Sequence, residues 1–181
     1  MKQVVILTLS LLLLLSCNKD RSESCNGNTR REIKLMIDDL ASTVDTAVID
    51  ISIKEIGQIE VPEVKKETPR QDVEKKVYRV TGTINKIKQY RDGDIHIRLD
   101  DGNDNYIITE IPNPGCVYAA SASMLNEWNQ AISFVKANGF EDLEGKTVTI
   151  TGVAFVDIDH HYKRKQAENN MELHPIIKIE F

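Results

Sequence analysis

All four histidines of this chain lie in its second half, and each has a carboxylate close by. His96 comes two residues after Asp94 and His174 two after Glu172, while His160 and His161 follow Asp157 and Asp159. Imidazole titrates near neutral pH, and an adjacent carboxylate orients it and raises its pKa, which suits general acid–base chemistry. Two histidines plus a carboxylate also form a ligand set for zinc or another divalent ion. His96, His174 and Asp157 would be that set, as ligands or acid–base groups, with His160 and Glu172 supporting them. A third reading is that solvated strand faces and a polar loop simply contain these residues.

The elements that must position them follow from pattern. Tyr78, Val80, Gly82 and Ile84 alternate with polar positions from Val77 onward, which predicts a half-buried strand with Gly82 at a bulge or bend. Arg91-Asp92-Gly93-Asp94 predicts a hairpin turn. Ile95, Ile97 and Leu99 then alternate with His96, Arg98 and Asp100, a second strand. Asp101 to Asp104 is another turn, and Tyr106 to Ile111 a third strand, ended by Pro112 and Pro114. Ser121 or Ser123 can cap a helix carrying Met124, Trp128, Ile132 and Val135, closed by Asn138-Gly139. Lys146 to Val156 is a fourth strand with Gly152 in its middle. A polar loop, 157–170, leads to a last strand from Glu172 to Phe181. The fold class is therefore mainly β: an OB-like five-stranded barrel of order β-β-β-α-β-β over residues 77–181. Mid-strand glycines suit the sharp coiling of a small barrel.

Strand parity sorts the polar residues. If Ile95, Ile97 and Leu99 point inward, Asp94, His96 and Arg98 face out. If Leu173, Ile177, Ile179 and Phe181 point inward, Glu172 and His174 share the outer face. The third and fifth strands of an OB barrel are neighbours, which brings Glu110 near His174. The loop bearing Asp157 and His160 lies where OB folds carry one of their ligand-gripping loops. On that loop, Lys163-Arg164-Lys165 beside Tyr162 is a basic cluster able to meet a phosphate or another anion; a solvated loop tip is the preferred account of it. Trp128 belongs to the core face of its helix. Tyr90 is the better stacking candidate.

The N-terminal part reads differently. Lys2 precedes an apolar run, Val4 to Leu15, too short to span a bilayer and of the length of a signal-peptide core. It ends on Leu14-Leu15-Ser16-Cys17. Residues 18–29 are polar. Ile33, Met36, Ile37 and Leu40 recur at helical spacing, and Val48 to Ile53 alternates like a strand. Glu60 to Lys76 holds Pro62, Pro69 and ten charged residues, the composition of a linker. The organisation expected is a signal peptide over 1–16, a polar tether with a short helix over 17–76, and the barrel. The net charge of −5 argues against broad DNA binding, which wants a basic face. Of the three cysteines, Cys17 is taken by lipid under this reading. Cys25 and Cys116 can pair in an oxidising compartment, but their spacing carries no framework pattern, and a free Cys116 thiol is preferred.

Three resemblances sharpen this reading. Leu14-Leu15-Ser16-Cys17 resembles the lipobox of bacterial lipoproteins, which implies cleavage before Cys17 and diacylation of it. Asn18-Lys19-Asp20 partly resembles the surface-export signal of Bacteroidetes lipoproteins. The segment from Asp92 to Pro175 resembles an uncharacterised group of secreted or anchored bacterial domains. The matching residues are Asp92-Gly93-Asp94-Ile95-His96, Glu110-Ile111-Pro112 with Cys116, Gly152-Val153-Ala154-Phe155 with Asp157 and His160, Ala167, Asn169, and Glu172-Leu173-His174-Pro175. That resemblance implies that Asp94, His96, Glu110, Cys116, Asp157, His160, Asn169, Glu172 and His174 act together. It lends no reaction. The group carries a glycine-rich stretch after its second histidine, where this chain has His161-Tyr162-Lys163-Arg164-Lys165.

The expected function is an extracytoplasmic binding module, lipid-anchored in the cell envelope (the outer membrane, with its surface as the export signal implies), taking an oligonucleotide, oligosaccharide or protein ligand. Asp94, Glu110, Cys116, Asn169, Lys163 and Arg164 are its binding candidates. The alternative is a metal-assisted hydrolase such as a phosphodiesterase, using a divalent ion such as zinc on the His/Asp/Glu cluster. The remaining reading is structural, a network that stitches loops to the barrel.

Overall fold

The computed structural model describes residues 30–116, 122–161 and 165–181. Cys17, Cys25, Ser121, Tyr162, Lys163 and Arg164 lie outside these residues, so the expected lipidation site and the two basic binding candidates are not part of the description below.

The strands are β1 (Val48–Asp50), β2 (Val77–Gln89), β3 (Ile95–Asp100), β4 (Tyr106–Ile111), β5 (Thr147–Val156) and β6 (Met171–Glu180). The order β2-β3-β4-β6-β5 closes back on β2, and β1 adds a short parallel strand beside the start of β2. Within the ring, β4 and β6 are parallel and the other pairs antiparallel. Helices α1 (Arg31–Lys34) and α2 (Ile53–Ile56) precede the ring, and α3 (Ala122–Asn138) and α4 (Phe140–Leu143) fall between β4 and β5. This is the expected OB-like barrel with its helix after the third barrel strand.

The inward residues build one core. Ile84, Ile97, Leu99, Ile107, Ile150 and Leu173 meet Ala131 and Val135 of α3 and Leu143 of α4. Trp128 sits in a second cluster with Leu35 and Cys116. Both mid-strand glycines are close-approach positions: a Cβ on Gly82 would stand 2.6 Å from Ile53 Cδ1, and one on Gly152 2.9 Å from Leu173 Cβ. Near Gly152 the β5–β6 register shifts, with Gly152 opposite Ile176 but Ala154 opposite Leu173. That extra β6 residue corrects the expected parity: Ile176 is buried and Ile177 half-buried, while Phe181 is exposed.

Residues 30–76 depart from the expected tether. Ile33, Leu35, Ile53, Ile56 and Val64 are buried, and the last three join the barrel core. Two charges of the 60–76 stretch, Arg70 and Glu74, are buried and partnered, while Glu60, Glu63, Lys65, Lys66 and Glu67 are exposed. Arg30 grips both carboxylate oxygens of Glu74 at 2.7 and 2.6 Å and donates to the carbonyls of Val156, Thr68 and Pro69. Glu74 in turn accepts from the amides of Val156 and Gln71. Arg70 donates to both oxygens of Asp38 and to the Ile33 and Glu74 carbonyls. Composition alone counts such charges as solvated; here buried pairing makes them compatible with the interior. Ser52 and Glu55 form a capping box at the start of α2. The expected helix at Ile33–Leu40 is reduced to the single turn of α1, followed by a 3₁₀ turn at Ala41–Thr43.

Candidate functional site: a buried histidine–carboxylate cluster

Register brings the polar residues together. His96 stands opposite Glu110 across β3 and β4. Thr109 stands opposite Leu173 in the parallel β4–β6 pair, so the next residues on each strand, Glu110 and His174, are neighbours. Phe155 stands opposite Glu172 across β5 and β6. Alternate strand residues share a face, which leaves His96, Glu110, Phe155, Glu172 and His174 on the outer wall of the barrel. Asp94 joins them from the turn before β3, where Oδ1 accepts from the Asn113 amide at 2.8 Å.

Glu110 is central. Its Oε1 lies 2.8 Å from His96 Nδ1, and its Oε2 lies 2.7 Å from His174 Nδ1 and 3.5 Å from Lys34 Nζ. The approach of His174 is close without the direction of a hydrogen bond. His174 Nε2, 4.0 Å from Asp94 Oδ2, also lacks a hydrogen-bond partner, although the side chain is wholly buried. The ring packs 5.9 Å from that of Phe155. His96 is partly exposed and stacks on Tyr90 with ring centroids 4.1 Å apart. Tyr90, the expected stacking platform, thus has an intramolecular partner.

Two cations from α1 complete the cluster, and the site pattern in the sequence contains neither. Arg31 clasps Asp94 with both terminal nitrogens, one at 3.0 Å. Lys34 Nζ sits 3.9 Å from Glu172 Oε2 and 4.9 Å from the centre of the Phe155 ring, with the Arg30 guanidinium over the same ring. No local signal in the sequence ties Arg31 and Lys34 of α1 to the acidic wall they meet.

Burial and charge compete here. Burial alone would lower the Lys34 ammonium, but the carboxylates of Glu110, Glu172, Asp157 and Asp94 outweigh it and hold the pKa above its ordinary value. Burial alone would raise Glu110; the charge of Lys34 and the hydrogen bond from His96 overcome it and hold Glu110 well below the usual carboxylate range. For His174 burial wins, and its pKa falls below the ordinary imidazole value. The surroundings thus favour the ionised form of Glu110, the charged form of Lys34 and the neutral form of the His174 imidazole.

The expected ligand set of His96, His174 and Asp157 is replaced. The atoms that converge, all within 4.8 Å of one another, belong to Asp94, Glu110 and His174. His96 lies outside this set because its Nδ1 engages the far oxygen of Glu110. Asp157, beyond the end of β5, pairs with His160 Nε2 at 3.0 Å. Asn169 is committed to the fold: its amide donates to the carbonyls of Ile56 and Ile59, and its oxygen accepts from the Met171 amide. Cys116 is disulfide-bonded rather than a free thiol. His161 and Asp159 pair at the surface.

Beside this cluster, an open cleft of about 750 Å³ separates residues 61–66 from the β5–β6 loop. Glu63, Lys65, Lys66, Asp157, Asp159, His161, Asn169 and Asn170 give it mixed polarity, and Val61, Pro62, Val64, Val156 and Ile158 give it an apolar floor.

No protein-family model matches the chain, and no curated protein matches it. Among solved structures, the chain is similar to Entamoeba histolytica asparaginyl-tRNA synthetase, with a TM-score of 0.43 and 13% identity over 75% of this chain and 24% of that one. It is also similar to the same enzyme in complex with asparaginyl-adenylate, with a TM-score of 0.39 and 16% identity over 66% of this chain and 23% of that one. The chain spans about a quarter of the length of those structures. The reading of the site rests on its own geometry.

Proposed function

We propose that the chain is a membrane-anchored binding module, an OB-like barrel held outside the cytoplasm through lipid on Cys17. It presents the cleft beside the β5–β6 loop to an extracytoplasmic ligand. One observation supports binding over chemistry: Asp94, Glu110 and His174 are 1%, 2% and 0% exposed beneath α1, beyond the reach of a substrate. The cleft, in contrast, is open, and its walls carry both signs of charge as well as amides. That mixture suits a neutral, hydroxyl-rich ligand such as an oligosaccharide better than a polyanion. Titration of the purified protein with neutral oligosaccharides should give saturable binding that Lys66→Ala and Asp159→Ala weaken at least about tenfold, a loss of ~1.4 kcal/mol. Binding of single-stranded DNA or RNA at low salt, with no binding of any glycan, would overturn the ligand class. Cys17→Ser should move the protein from the membrane fraction to the soluble one; retention in the membrane would remove the anchor.

One observation favours the hydrolase reading: a histidine and two carboxylates do converge. Hydrolysis there requires α1 to leave the barrel wall. Phosphodiester turnover by the purified protein that His174→Gln abolishes would establish it.

A further inference from the structure

The buried cluster has the composition of a metal site whose cation is supplied by the protein itself. Asp94, Glu110 and His174 each offer one donor atom, and those atoms lie within 4.8 Å of one another. His174 is wholly buried, yet neither ring nitrogen makes a hydrogen bond. Nδ1 keeps a 2.7 Å contact with Glu110 Oε2 outside hydrogen-bond direction, but a buried ring nitrogen such as Nε2 with no hydrogen bond is costly, because it recovers nothing for the water it lost. A metal ion would supply that partner. The groups around the trio are those that orient metal ligands: His96 Nδ1 holds the second oxygen of Glu110 at 2.8 Å, and the Asn113 amide holds Asp94 Oδ1 at 2.8 Å. Two carboxylates and one imidazole suit a divalent transition ion such as zinc.

The same carboxylates now bind Arg31 and Lys34 of α1. Two protein cations and a dication cannot share them, since like charges at these distances repel strongly in a dry site. The geometry points to a zinc-class divalent ion at Asp94, Glu110 and His174 that competes with Arg31 and Lys34, so that binding the ion releases α1 from the barrel wall. The site is separate from the cleft and does not depend on what the cleft binds.

The test uses the untagged full chain, stripped with chelator and titrated with zinc while circular dichroism monitors the fold. We expect one ion per chain. His174→Gln and Glu110→Gln should weaken binding at least tenfold, and Lys34→Gln, which removes the competing charge, should strengthen it at least tenfold. Hydrogen exchange of residues 30–40 should accelerate on zinc addition in the wild type. Zinc retained equally by His174→Gln overturns the site. Absence of zinc binding in both wild type and Lys34→Gln overturns it as well, and since Lys34 lies on the covering helix rather than a barrel strand, that variant keeps the test open if Glu110→Gln does not fold. Zinc binding with unchanged exchange at residues 30–40 overturns the competition.

Discussion

Glu110 joins three side chains of the buried cluster. Two histidines and a lysine meet its two oxygens, and each depends on its charge. The shifts around it set an acid–base profile for stability. His174 is neutral in the fold, whereas the unfolded chain takes up a proton near pH 6.5, so its contribution is complete above that value and lost as the pH falls below it. Glu110, held well below its ordinary 4.5, adds a second loss in the same direction below that pH. Lys34 acts oppositely: its contribution is complete below its ordinary 10.5 and lost as the pH rises toward its higher folded value. Chelator-treated protein should therefore show a stability plateau between neutral and moderately alkaline pH. Its acid limb should begin near 6.5 in the wild type and at lower pH in His174→Gln, as read from urea midpoints; an unchanged limb would exclude His174 as its source. At this scale much was legible in the sequence. The positions of Asp94, His96, Glu110, Glu172 and His174 follow from alternation plus the neighbouring third and fifth strands of an OB barrel. Arg31 and Lys34 were not legible, because nothing local ties a charged helical turn to strands sixty or more residues away.

At the scale of elements, the barrel strands announce themselves because each buries one face, and alternation records that burial. Residues 60–76 mislead for the opposite reason: two of their charges, Arg70 and Glu74, are buried against Asp38 and Arg30, and composition is blind to such partners. The Ser52–Glu55 capping box was a readable signal for α2. The clasp between Arg30 and Glu74 joins the start of α1, the 3₁₀ turn at Asp72–Lys75 and the end of β5. Glu74→Ala leaves a wholly buried guanidinium without its counter-charge, and such losses cost about 3–5 kcal/mol. Asp72→Ala, on the same turn but solvent-facing, should change stability by no more than about 0.5 kcal/mol. Denaturant unfolding of the two variants compares them directly; a Glu74→Ala midpoint equal to that of Asp72→Ala would show that the segment is not held by this pair.

For the whole molecule, the decisive facts are that residues 30–76 belong to the folded body and that Cys116 is cross-linked. Only Cys17 and Cys25 are available as its partner. Lipid on Cys17 leaves Cys25, so non-reducing peptide mapping should recover a Cys25–Cys116 linked pair. A Cys17–Cys116 pair would contradict both the lipid and the anchor.

If Cys17 carries the proposed lipid, the packing of Arg30 against Glu74 also sets how far from the bilayer the barrel can travel. The chain between a lipidated Cys17 and Arg30 spans at most roughly 45 Å at full stretch, and a bridge at Cys25 would cut that to under about 30 Å. The domain would hug its membrane rather than sway above it. Confined to so thin a layer, it would meet anything displayed on the same surface at an effective concentration on the order of millimolar. Weak intrinsic affinity for such a ligand would then be enough for steady occupancy.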